Sequence, residues 1–186
     1  MSDGGVLNSS NAGFMGCFFA AKGATTEDPV QGLWNFVLHT WFPRNPYRIN
    51  IKAKNLASND EPDAIVIEVR FVGGRTSARE SWEIRERPIF MVECKKPTRD
   101  TPEEWESARV QLLQYLDDNV AGSKRMYGAV AIGLKVEIYK WDATNPSGPL
   151  MRLHPATIDL NLAKDRRELE ALLDEVKAGG WNWAEP

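Results

Sequence analysis

Glu93 and Lys95 stand two residues apart at the end of the apolar run Ile89 to Cys94. Side chains alternate along a strand, so this carboxylate and this ammonium share one face while Cys94 points to the other. Burying both is costly without a partner or a task. Upstream, Asp63 follows Pro62 and opens a second apolar run, AIVIEVRF. If 64–72 and 89–95 pair antiparallel, the start of the first run meets the end of the second. Pairing 63 with 93 centres the turn on residue 78, beside the GGRTSAR turn at 73–79, and a bulge near Pro88 absorbs the mismatch. Asp63 and Glu93 then converge on one cation, with the backbone carbonyl of Cys94 as a third oxygen. Such hard oxygen ligands suit Mg²⁺ or Mn²⁺, which activates water and neutralises charge on phosphorus oxygens. Lys95 would orient the attacking water or stabilise a developing oxyanion.

Each fragment has a bland alternative. E-x-K triplets are common on solvated strands, and P-D is a turn signal. The signal is their order, on apolar strands, with a helix following.

The elements that must position these groups read as follows. Residues 1–24, rich in Gly, Ser, Asn and Ala, are expected to form a loose N-terminal tail. Its apolar patch of Phe14, Met15, Phe18 and Phe19 would dock on the domain or on a partner. Residues 25–186 are expected to form a single domain. Asp28 as N-cap, Pro29 at the first helical position and Gln31 three after the cap start a helix. Val30, Leu33, Trp34, Val37 and Trp41 form its apolar face, Pro43 ends it, and His39 reads as a surface histidine. Strands are expected over 47–54, 64–72 and 81–85, with Pro88 marking either a bulge or a break before 89–95. Thr101-Pro102-Glu103-Glu104 is a capping box opening a helix to about residue 118, with Trp105, Ala108, Leu112, Tyr115 and Leu116 inward. Residues 127–132 and 136–141 suit a hairpin around Gly133. A last helix over 165–178 has Leu169, Leu172, Leu173 and Val176 inward and Gly179 as its stop. The reading is α/β, a mixed β-sheet flanked by helices.

A chain of 186 residues with 42% hydrophobic and 26% charged residues suits one well-cored soluble domain. The net charge of −3 makes no global case for nucleic acid, but residues 40–99 hold 12 Lys+Arg against 8 Asp+Glu, a local excess on the segment of interest. Cys17 and Cys94 read as reduced thiols rather than a disulfide or zinc site. No apolar run approaches spanning length, and GFMGCFFAA lacks the basic flank of a signal peptide. The expected location is therefore intracellular, cytoplasmic or nuclear, with no membrane partner.

The order P-D, then E-x-K at a strand end, then a helix, resembles the PD-(D/E)XK nuclease superfamily. On that helix Gln111 and Tyr115 lie four apart in Q-L-L-Q-Y. This is similar to the Q-x-x-x-Y element of the RecB-like branch and of type I restriction enzyme nuclease domains; by itself Tyr115 would read as a core aromatic. The resemblance covers about residues 28–141. It implies a restriction-endonuclease-like core in αβββαββ order, here with a C-terminal helix. It also implies an endonuclease or exonuclease dependent on Mg²⁺ or Mn²⁺ and acting on DNA ahead of RNA. Asp63, Glu93 and the Cys94 carbonyl would bind metal, Lys95 would assist the water, and Gln111 and Tyr115 would support the site. Two features depart from the pattern: the 63–93 gap is long, and the first helix lacks the acid many members place there, leaving Gln31 or Asn35 as polar stand-ins. Glu68 is an alternative ligand that reads better as an exposed strand carboxylate, and Asp60 and Glu61 read as loop charges. The competing reading is an inactive module of the same fold binding nucleic acid or a protein partner, a second copy included; the apolar patch at 14–19, Trp181 and Trp183 are candidate contacts, although core packing is the commoner fate of such residues.

Overall fold

The protein is described by a computed structural model covering residues 5–51, 62–72, 75–76, 79–80, 83–118, 123–145 and 148–184. Asp60, Glu61 and most of the 73–79 turn lie outside these residues. In chain order come α1 (Ala12–Lys22), α2 (Asp28–Trp41), β1 (Tyr47–Ile51), β2 (Ala64–Val72), β3 (Arg75–Thr76), β4 (Arg79–Glu80) and β5 (Glu83–Lys95). They are followed by α3 (Pro102–Asp117), β6 (Arg125–Ile132), β7 (Lys135–Asp142), β8 (Leu150–Arg152), β9 (Ile158–Asp159) and α4 (Ala163–Trp183).

Seven strands form a mixed sheet in the order β1-β2-β5-β6-β7-β8, with β9 also on β7. β5 is its centre because Ile89, Phe90, Met91, Val92 and Cys94 are all buried, as a strand covered on both faces requires. β2 pairs antiparallel with β5, and β6 pairs parallel with it. A parallel neighbour needs a crossover, and α3 supplies it. Thr101 caps α3 by accepting from the Glu104 N–H, and the five expected inward residues of α3 are all buried. β6 and β7 form the expected hairpin, turning through Gly133 at φ +59°, a conformation few side chains tolerate. Among the described residues the chain is thus α/β, a seven-stranded mixed sheet with four helices.

Two apolar layers sandwich the sheet. On one face α1, α2 and α4 bury Phe14, Leu33, Trp34, Leu169 and Leu173 against Phe90 and Val92. On the other, α3 buries Trp105, Leu112 and Leu116 against Met91 and Val130.

Two expectations are corrected, and two open alternatives are decided. The loose tail is instead a helix over Ala12–Lys22, capped by the Asn11 side chain on the Phe14 N–H. Phe14, Phe18 and Ala21 are buried, while Phe19 is 61% exposed. Phe14 rests on the rings of Phe18 and Phe36 at centroid distances of 5.7 and 6.5 Å. Of the two readings of Pro88, the bulge holds and the break does not: β5 runs unbroken and the register slips between Val66–Phe90 and Ile67–Pro88. Ile89 is therefore the extra residue of a bulge. The Gly179-Gly180 pair does not stop α4, which continues to Trp183. A Cβ on Gly180 would sit 3.0 Å from the Ile89 side chain, so this glycine permits close approach of helix to sheet. Trp181 and Trp183 take the core-packing course rather than forming partner contacts: Arg70 and Arg87 flank the Trp181 ring at 4.5 and 4.2 Å, and Arg125 lies over Trp183 at 5.2 Å.

Candidate active site

The antiparallel register sets Ala64 opposite Val92, so Asp63, one residue before β2, falls opposite Glu93. Asp63 thus lies beside the end of β5, close enough for its charge to act on Glu93. Asp63 Oδ2 accepts from the Cys94 N–H at 2.7 Å, and its Oδ1 accepts from Gln31 Nε2 at 2.5 Å. Of the two polar stand-ins on α2, Gln31 reaches the site and Asn35 is exposed.

Glu93 and Lys95 lie on the α3 face of β5, in step with Met91. Lys95 Nζ donates to Glu93 Oε1 at 2.5 Å, with the Glu93 side chain 3% exposed and that of Lys95 19%. Glu93 Oε2 is buried and has no hydrogen-bond partner among the described residues, a costly arrangement for a carboxylate oxygen. Burial, and then the charge of Asp63, push the Glu93 carboxyl up to about 7 against the opposing pull of Lys95. Burial works against the Lys95 ammonium, but the Glu93 bond and the charges of Glu93, Glu27 and Asp63 outweigh it and hold its pKa above the ordinary lysine value. Burial, followed by the same three acids, raises the Cys94 thiol well above its usual range. Cys94 and Cys17 are both free thiols, and the Cys94 side chain faces the opposite apolar layer.

Glu27 is the residue the sequence did not single out. Asp28 was the expected N-cap, yet the helix begins one residue earlier with Glu27 in the capping position and no side-chain cap bond. Glu27 adds negative charge at Glu93, Cys94 and Lys95. The available signal was spacing: residues 27 and 31 are i and i+4 on one helix face, so a Gln31 aimed at Asp63 brings Glu27 along.

Gln111 and Tyr115 lie on α3, over the same sheet face as Glu93. Gln111 Nε2 donates to the Tyr115 hydroxyl at 2.5 Å, and Tyr115 is buried in the layer that contains Met91. Glu68 is not the exposed carboxylate expected. It is 2% exposed and paired with Arg70 at 2.7 Å, on the other sheet face and four residues along β2 from Ala64, remote from Asp63.

The donor set suits a hard divalent cation. Asp63 and Glu93 offer carboxylate oxygens and Cys94 a carbonyl, and the partnerless Glu93 Oε2 is a buried acceptor of the kind such an ion satisfies. Among the described residues, no group of three or more His, Cys, Asp or Glu side chains is close enough to hold an ion by itself. Mg²⁺ is commonly held by one or two carboxylates, the rest of its shell coming from water and substrate phosphate. A two-carboxylate site fits that pattern.

Glu93 also makes the ion-free protein sensitive to pH. Its carboxyl titrates near 7 in the fold against 4.5 unfolded. The unfolded chain therefore ionises first, and the contribution of Glu93 falls as pH rises from 4.5 to 7, then levels off. The shift corresponds to a loss on the order of 3 kcal/mol. Glu93→Gln should flatten this decline in chemical denaturation run in chelator across that range. An equally steep decline in the variant would assign it to other groups.

Comparison with family models, with curated proteins and with solved structures finds no match to this chain.

Proposed function

We propose that this protein is a metal-dependent nuclease of the PD-(D/E)XK kind, with a restriction-endonuclease-like core, hydrolysing phosphodiester bonds in DNA ahead of RNA. The observation that carries the reading is the juxtaposition of Asp63 with Glu93. The Asp63 carboxylate bonds the Cys94 N–H, next to a Glu93 whose Oε2 lacks a partner among the described residues. Mg²⁺ or Mn²⁺ held by Asp63, Glu93 and the Cys94 carbonyl would supply Lewis acidity and charge neutralisation at the phosphate. Gln31 fixes the rotamer of Asp63. Lys95, bonded to Glu93 and partly open to solvent, can donate from its remaining N–H groups to an attacking water or a phosphate oxygen. In hydrolysis the water oxygen bonds to phosphorus, the bond to the leaving oxygen breaks, and that oxygen takes up a proton. Gln111 and Tyr115 support the Glu93 face from α3. The order of motifs and the helix carrying Gln111 and Tyr115 add support.

A second reading, a binding module of this fold without catalysis, is favoured by one observation. Gln31 and Cys94 already occupy both oxygens of Asp63, and Lys95 occupies one of Glu93. Incubating pure protein with single- and double-stranded DNA and RNA, with Mg²⁺ or Mn²⁺ or chelator, separates the two. The nuclease reading expects cutting that needs the ion and is lost in Asp63→Ala. Nucleic-acid binding without ion-dependent cutting would favour the module.

A further inference from the structure

β1 is an edge of the sheet: among the described residues it pairs with β2 alone. Its register decides which main-chain groups that leaves open. Tyr47 lies opposite Glu68, so Pro46 falls opposite Val69, and the Val69 N–H donates to the Pro46 carbonyl at 2.8 Å. Hydrogen-bonded and non-hydrogen-bonded pairs alternate along an antiparallel ladder. Arg48 and Asn50 therefore turn their N–H and C=O groups toward β2, and Tyr47, Ile49 and Ile51 turn theirs outward. Of these outward groups the Tyr47 N–H is satisfied, by the Pro43 carbonyl at 3.2 Å. Sheet edges are ordinarily kept from pairing by charge, proline or brevity. The other edge, β8, has three residues. β1 has five, and its one charged residue, Arg48, is held by Glu86 at 2.9 Å. On the opposite sheet face Tyr47 and Ile49 pack on the layer of α1, α2 and α4, and Ile51 follows them by alternation, 43% exposed. Beyond Tyr47 the edge opens on a groove of about 530 Å³ whose lining includes His39, Phe42, Tyr47 and Ile49.

We propose that a second copy of this chain covers this edge, the two β1 strands pairing antiparallel about a two-fold axis at Ile49. The strand is self-complementary there, as an isologous contact requires. Ile49 is the middle residue of β1, so an axis at that point alone pairs all five residues of both strands. Ile49 then faces Ile49 of the second copy, and Tyr47 faces Ile51 of the second copy. All of these are outward residues, so the pairs are hydrogen-bonded. The Ile49 N–H donates to the Ile49 carbonyl of the second copy, the Ile51 N–H donates to the Tyr47 carbonyl of the second copy, and each bond is made twice. Arg48 lies opposite Asn50 of the second copy, whereas an axis at Arg48 would set that arginine against itself, a destabilising pair. The exposed Ile51 of each copy comes to rest beside Tyr47 at the mouth of the groove. A single five-residue strand per copy is at the small end of specific interfaces, so the dimer dissociates on dilution. The inference does not rest on the nuclease reading.

The test combines sedimentation equilibrium with amide hydrogen exchange, both in chelator and over protein concentrations from micromolar to millimolar. The mass should rise from monomer toward dimer with concentration. Over the same range the Ile49 N–H should exchange more slowly in proportion to the dimer fraction, while Arg48 and Asn50, already bonded to β2, keep their rates. Ile51→Pro removes an N–H that faces away from β2, a substitution an edge strand tolerates. It should weaken self-association about tenfold or more, through two lost hydrogen bonds per dimer, with the circular dichroism spectrum unchanged. If that variant does not fold, the exchange of Ile49 in the unsubstituted protein decides alone. A monomer at every concentration would overturn the inference. So would a dimer whose Ile49 amide exchanges at the monomer rate, or undiminished dimerisation by folded Ile51→Pro.

Discussion

Lys95→Ala should cut DNA about 10² to 10³ times more slowly than the unsubstituted protein under saturating Mn²⁺, the usual loss when one preorganised donor to a developing oxyanion is removed. Its Mn²⁺ affinity should change little, because the proposed ligands are oxygens of Asp63, Glu93 and Cys94. Asp63→Ala should lose ion binding and cutting together. The two variants therefore separate a group that assists the reaction from one that holds the ion. Lys95→Ala also strips a buried carboxylate of its cation, since the Lys95–Glu93 bond is 2.5 Å long. Removing one partner of a buried pair typically costs about 3–5 kcal/mol, and the partial exposure of Lys95 moves the figure toward the low end or below it. Single-turnover cutting should accordingly be measured at a temperature where circular dichroism shows both proteins folded. A Lys95→Ala rate within twofold of the unsubstituted rate would remove this ammonium from the mechanism.

Phe14→Ala should destabilise the protein by about 3–5 kcal/mol, although it lies in a segment whose composition suggests a tail. Phe14 is 0% exposed, between the rings of Phe18 and Phe36. Substitution leaves a cavity between α1 and α2, and α2 carries Gln31 into the candidate site. Phe19→Ala, one turn on but exposed, serves as the control and should change stability by less than about 0.5 kcal/mol. Equilibrium denaturation in urea gives both values. Equal, small effects would mean that α1 contributes nothing to the core.

The placement of Asp63, Glu93 and Lys95 was legible because its determinants are local and periodic. Alternation along 89–95 put Glu93 and Lys95 on one face, and the spacing of the two apolar runs indicated the register that sets Asp63 opposite Glu93. The helix from Thr101 was legible for the same reason, its cap and apolar spacing lying within a few residues of each other. What escaped depended on partners distant in sequence. A GF-rich, small-residue segment shows no amphipathic stripe, because α1 buries only Phe14, Phe18 and Ala21 and leaves much apolar surface outside. Gly179-Gly180 looks like a helix stop until Ile89 is seen against it. Glu68 alternates like a solvated residue, but it is buried and paired with Arg70, which itself lies over the Trp181 ring, and no pattern in β2 announces a tryptophan from the end of α4. Glu27 was passed over because Asp28-Pro29 made the better capping signal. Only the orientation of α2 toward Asp63 brings its charge to Glu93.

The central claim is that Asp63 and Glu93 jointly hold a divalent cation. Its most direct test is an anomalous difference map from a crystal soaked in Mn²⁺. The account predicts one strong peak within about 2.5 Å of a carboxylate oxygen of each residue, with the Glu93–Lys95 bond lengthened or broken as Glu93 turns to the ion. The absence of a peak there, or a peak on other carboxylates with the 2.5 Å Lys95–Glu93 contact intact, would contradict it.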